Sequence, residues 1–262
     1  MKKVISLILL ILLMCSGCAY KSEIKITDSD TAMTTRLENT VELQKNIFIS
    51  EILSVETKNA LITKYNLDIT RYTVYTVNIT QSIDGYTPVG YAKLYCVGTT
   101  DEFMSRINMK KGESYIVDAQ PWVYGDEIIY LLSVYTVAYP RIDTAGMVTL
   151  AQSADTAVSC GSLTDYIAQY DAARTELSSR EPDFFTPQNI LARFGTYLEE
   201  IKEKNTADAY GGDMEYEWLP DGDFIAKTAE KSNALYTEYQ EFAQRGNITT
   251  EEVTDFISSV LG

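Results

Sequence analysis

Arg71 to Thr100, RYTVYTVNITQSIDGYTPVGYAKLYCVGTT, constrains this chain more than any other stretch. Thr73, Tyr75, Val77 and Ile79 alternate with Tyr72, Val74, Thr76 and Asn78. Successive side chains of a strand point to opposite faces, and β-branched and aromatic residues suit a pleated surface. Ser82-Ile83-Asp84-Gly85 supplies turn chemistry, with Gly85 able to take a positive φ. Tyr91 to Val97 resumes the alternation. The pattern predicts two strands joined by an exposed loop, so the chain must build a sheet around them.

Three further strands are expected nearby, at Ile47–Val55, Glu113–Trp122 and Ile128–Ala138. Lys110-Lys111-Gly112 leads into the second of these, and Tyr124-Gly125-Asp126 is a hairpin turn between the last two. Asp101–Asn108 carries Phe103, Met104 and Ile107 at helical spacing behind Thr100, which predicts a short capped helix. Three strands, a short helix and two more strands is an order that resembles the OB-fold, a five-stranded Greek-key β-barrel. Eleven of the nineteen tyrosines fall between Tyr65 and Tyr139. They read as strand residues with an apolar body and a polar tip rather than as a stacking platform.

Beyond residue 145 the period becomes helical. Met147–Cys160 is a Ser/Thr/Ala-rich connection with room for one short strand at Met147–Leu150. Ser162 caps a helix to about Leu177 with Leu163, Tyr166, Ile167 and Tyr170 on one face. Thr186-Pro187 opens a second, to about Lys204, with the stripe Ile190, Leu191, Phe194, Leu198 and Ile201. Asp223–Ala243 is a third, which Gly246 is expected to cap. Thr249-Thr250-Glu251-Glu252 is a capping box for a last helix with Val253, Phe256, Ile257 and Val260. The fold class expected is α+β, an OB-like barrel at 46–145, a linker at 146–160 and a helical region at 161–262.

The amino terminus, MKKVISLILLILLMCSGC, has a basic start at Lys2 and Lys3 and an apolar run from Val4 to Met14 broken only by Ser6. That run is short for a transmembrane helix and suits a signal-peptide core. With Ser16-Gly17 before Cys18, the segment resembles a bacterial lipoprotein precursor, although Cys15 stands where leucine is usual. The resemblance implies removal of residues 1–17, a lipid on the sulfur of Cys18, and a place on the extracytoplasmic face of the cell membrane. Residues 18–45, polar and without sustained period, read as a flexible tether. The Cys15-x-x-Cys18 spacing then carries no redox or metal chemistry. Cys96, alternating within a strand, reads as a small buried hydrophobe, while a bridge from it to Cys160 needs a separation that sequence does not give.

Charge and composition exclude several functions. The chain has 37 Asp and Glu against 22 Lys and Arg, a net charge of −15. The excess is uneven: Asn46–Asp143 holds 8 basic against 11 acidic residues, and Met147 onward 8 against 21. Nucleic acid, bound through phosphate neutralisation, is disfavoured as a partner. Contact with an anionic bilayer is expected through the lipid alone. The 262 residues contain no histidine, which removes Ser-His-Asp and Cys-His catalysis and His-ligated zinc.

What chemistry remains is carboxylate chemistry. Asp213, Glu215, Glu217, Asp221 and Asp223 put five carboxylates in eleven residues, a candidate for calcium. Trp218 occupies the position where an EF-hand needs glycine, so the plainer reading is a solvated acidic loop, and no cofactor is expected. Tyr216 and Trp218 within it are candidate anchors for a basic protein partner, drawn by the acidic surface. The function expected is a non-catalytic, membrane-anchored binding or scaffolding module. The alternative is a carboxylate- or metal-dependent envelope enzyme acting on a cell-wall glycan through two carboxylates across a cleft.

Overall fold

The structure, a computed structural model, describes residues 25–28, 41, 46–61, 69–97, 109–132, 138–151, 156–204 and 222–262. The strands are β1 Lys25–Asp28, β2 Asn46–Leu61, β3 Ile69–Ser82, β4 Gly90–Val97, β5 Ser114–Tyr124, β6 Glu127–Leu132, β7 Arg141–Ile142, β8 Met147–Ala151 and β9 Thr156–Ser162. The helices are α1 Leu163–Arg180, α2 Pro187–Lys204, α3 Gly222–Ala243 and α4 Thr250–Val260.

Strands β2 to β6 close an OB-like barrel in the order β5-β2-β3-β4-β6, with β6 returning to β5. β2 pairs antiparallel with both β3 and β5, and the closing pair of β4 with β6 is parallel, Leu94 facing Tyr130. The α+β class expected from the sequence is therefore the one found, with the helices after the barrel. Its interior is filled from alternate positions: Phe48 and Ile52 from β2, Tyr75, Val77 and Ile79 from β3, Leu94 and Cys96 from β4, Tyr115, Val117 and Ala119 from β5. A register shift between Ile52 and Ser54 changes the parity of β2, so that Val55 packs against the same core. Tyr75, Tyr115, Tyr130 and Tyr139 lie in this interior, as expected of tyrosine used for its apolar body.

The sheet does not end at the barrel. β5 also pairs with β7, and β7-β8-β9-β1 continue the sheet, β1 lying parallel to β9 with Lys25 opposite Thr156. Two stretches read as linker and tether thus contribute strands, because Val148, Val158 and Cys160 have an apolar layer to bury against. β6 is described from Glu127 to Leu132 of the strand expected at Ile128–Ala138; residues 133–137 lie outside the described residues, as does the helix expected at 101–108.

Two apolar layers coat the barrel. Tyr166, Tyr170 and Leu177 of α1 pack with Ile47, Ile49, Ile116, Val148 and Cys160. The stripe of α2, Ile190, Leu191, Phe194, Leu198 and Ile201, packs with Leu235 and Phe242 of α3, Val253, Ile257 and Val260 of α4, and Val123 of β5. Phe256 joins three helices, stacked on Phe242 at 4.1 Å and edge-on to Phe194 at 6.3 Å. Thr228 of α3 is fully buried and its Oγ1 accepts from the N–H of Gly125 at 2.9 Å, fixing the helix to the β5–β6 turn. The expected capping box of Thr249 with Glu252 forms, and the expected cap at Ser162 is a capping box too, completed by Asp165. The left-handed residue after α3 is Asn247, φ 57°, and not Gly246; asparagine tolerates that region through its short polar side chain. Among the described residues no helix is long and apolar enough to cross a membrane.

Candidate functional site

The β3–β4 connection is held by one buried carboxylate. Asp84 Oδ2 accepts from the N–H of Ile47 at 2.9 Å, and Oδ1 accepts from the Ser82 hydroxyl at 2.8 Å and the N–H of Tyr86 at 2.9 Å. Ser82 in turn accepts from the N–H groups of Gly85 and Thr87, and Asn46 donates to Thr87 Oγ1 at 3.0 Å. Gly85 takes the positive φ that the turn needs, 85°. Burial pushes the Asp84 carboxyl above its ordinary value, against the pull of its hydrogen-bond donors.

This staple aims Tyr86 into the joint between the barrel and three helices. Its ring packs with the layer under α2 and α4, and its hydroxyl lies near that of Thr254 of α4, which itself donates to the carbonyl of Thr250. Burial raises its pKa, while the charges of Arg174 on α1 and Arg193 on α2 pull it back. Tyr170 and Arg174 are four residues apart on α1, as Arg193 and Tyr197 are on α2, so each pair shares a helix face. Between them the α1–α2 connection places two rings. The guanidinium of Arg174 lies 4.8 Å from the centre of the Phe185 ring and that of Arg193 4.2 Å from Phe184, with the two rings 4.9 Å apart. Cations over aromatic faces are held by the ring quadrupole as well as by packing. Arg193 also donates from Nη2 to the carbonyl of Phe184 at 2.6 Å. Desolvation lowers its pKa, offset by Tyr86 and the exposed Glu181.

The arrangement can hold an anion and offers little for proton transfer. Asp84 has both oxygens occupied by structural donors. Burial pushes the hydroxyls of Tyr130, Tyr170 and Tyr197 well above their usual range, so they act as hydrogen-bond groups and not as bases.

The residues singled out from sequence are not in this joint. Cys18, Asp213, Glu215, Tyr216, Glu217, Trp218 and Asp221 lie outside the described residues, and Asp223 falls in the first turn of α3, its side chain outside them too. Among the described residues no three His, Cys, Asp or Glu side chains gather as metal ligands would. Cys96 and Cys160 are buried in separate cores, barrel and α1 layer. The Tyr–Arg spacings on α1 and α2 are visible in the sequence, but only the folded chain brings Tyr170, Arg174 and Arg193 within electrostatic reach of Tyr86. No protein-family model, no curated protein and no solved structure matches this chain.

Proposed function

We propose that this chain is a lipid-anchored protein of the bacterial cell envelope that works as a non-catalytic binding or scaffolding module on the extracytoplasmic face of the membrane. The observation that carries the reading is the amino terminus, where Lys2-Lys3, the apolar run to Met14 and Ser16-Gly17-Cys18 occur in the order that lipid attachment requires. The body supports the second half of the reading. The buried carboxylate of Asp84 has its oxygens taken up by the N–H groups of Ile47 and Tyr86 and the hydroxyl of Ser82, so it serves the loop, and Arg174 and Arg193 stay half-buried over aromatic rings. The acidic residues from Met147 onward would steer a basic protein partner, with Tyr216 and Trp218 as its anchors.

The test is Cys18→Ala in cells that make the protein. The expected outcome is loss of palmitate labelling and a shift of the protein from the membrane to the soluble fraction. Unchanged labelling and fractionation would overturn the assignment.

A further inference from the structure

The stretch between Cys18 and the barrel is fastened to the body at two places. β1 begins at Lys25, only seven residues after Cys18. It lies parallel on β9, with Lys25, Ile26, Thr27 and Asp28 opposite Thr156, Ala157, Val158 and Ser159. The second fastening is Val41, which is buried with Ile47, Ile49 and Ile116 in the layer under α1.

The two differ in strength. Val41 sits in an apolar core built from several elements, and opening it means opening that core. β1 is four residues long, is the outermost strand of the sheet, and has β9 as its single neighbour among the described strands. Parallel pairing is also slightly weaker per residue than antiparallel pairing. A short edge segment of this kind opens locally, without the global transition that the core requires.

The two fastenings set two working lengths. An extended chain spans at most about 3.3–3.6 Å per residue, so the seven residues from Cys18 to Lys25 reach about 25 Å. With β1 released, the 23 residues from Cys18 to Val41 reach about 80 Å. A pull between the membrane and the body falls on β1 first, because no tension passes beyond it while it holds. Val41 then keeps the released strand near β9, so its return is intramolecular and needs no second molecule.

We propose that β1 is a strap that sets how far the binding module stands from the membrane, close while docked on β9 and distant once released. The proposal rests on the lipid anchor at Cys18 for its use, while the docking itself does not depend on the anchor.

The experiment uses the full chain purified in detergent, with hydrogen exchange of the β9 amides read by mass spectrometry. The variant carries Ile26→Pro and Thr27→Pro together. Of two successive strand residues one turns its N–H to the neighbouring strand, and proline has none to offer. Exchange in residues 156–162 should be slower in wild type than in the variant by about tenfold or more, with the thermal midpoint of the body unchanged. A second arm places the lipid-bearing protein in phosphatidylcholine vesicles that contain an acceptor lipid. A donor dye is attached at Tyr91→Cys, an exposed position, since Cys96 and Cys160 are buried. Energy transfer should be higher in wild type than in the proline variant. Equal exchange in the two proteins, or equal transfer, would overturn the strap. So would a wild-type dimer that the variant lacks, because β1 would then lie on β9 of a second copy. Failure of the anchor shows differently: the protein stays off the vesicles whatever β1 does, while exchange of β9 still depends on β1.

Discussion

Asp84 shows what a single residue does here and how little of it a sequence can announce. Ser82-x-Asp84-Gly85 is recognisable as a turn, because Ser, Asp and Gly each favour one for a local reason. The burial of Asp84 is not recognisable, since the N–H that demands it belongs to Ile47, in another strand. Its raised pKa gives a signed prediction. In the unfolded chain this carboxyl titrates near 3.8, and in the fold it titrates higher because burial disfavours the charged form. Between those values the folded state binds the extra proton, so the contribution of Asp84 to stability is fully present below the unfolded pKa and is lost as pH rises through the folded one. Asp84→Asn cannot titrate. The stability difference between wild type and Asp84→Asn, from urea unfolding, should therefore favour wild type more at pH 4 than at pH 8. A difference that grows with pH would mean that the N–H donors outweigh burial and hold the carboxyl low.

Among the elements, legibility followed the range of the interactions. The α2 stripe, the cap at Ser162 and the capping box at Thr249 are legible because a helix states its own period and its ends within a few residues. β8 agrees with the short strand expected at Met147–Leu150, whereas β7, β9 and β1 are not legible, because they are short and show no sustained alternation. The partner that makes β1 a strand, β9, is far along the chain. The arginine joint was missed for the same reason: its two halves are locally ordinary, and Tyr86 brings them together from the barrel.

The approach of α3 to α2 is another fact of the folded chain. A Cβ built on Gly195 would stand 2.1 Å from Cζ of Tyr239, so the glycine is there to let that ring lie on the α2 backbone. In wild type, Gly195→Ala must push the half-buried ring aside, at a cost of about 1–3 kcal/mol, typical of overpacking. In a Tyr239→Ala background the obstacle is gone and helix propensity alone remains, worth about 0.8–1 kcal/mol in favour of alanine. The substitution should change sign between the two backgrounds in a four-variant urea series. The same sign in both would show that the ring moves without loss.

At the scale of the molecule, the change of period near residue 145 invites cutting the chain into a barrel and a helical region, and the packing argues against it. β5 faces three cores at once: Tyr115, Val117 and Ala119 fill the barrel, Ile116 lies under α1, and Val123 lies under α2, α3 and α4. β2 faces two of them, with Phe48 and Ile52 inward and Ile47 and Ile49 under α1. The outside of this barrel is thus as apolar in places as its inside, and the helices are the layer that a two-faced sheet requires. Cutting after residue 145 would uncover Ile47, Ile49, Ile116 and Val123, all fully or nearly fully buried, and would take Thr228 from the N–H of Gly125. At about 1.5–3 kcal/mol for each large apolar side chain, that loss is comparable with the whole net stability of a typical domain, about 5–15 kcal/mol. Residues 46–145 alone should therefore bind a hydrophobic dye, keep β-type far-ultraviolet circular dichroism and melt without a cooperative transition, as a collapsed chain lacking fixed packing does. The full chain should lose barrel and helix signals together in one transition, because β5 belongs to all three cores and β2 to two of them. A sharp melt from the fragment, or two separated transitions in the full chain, would show that the barrel holds itself and the helices are only lodged upon it.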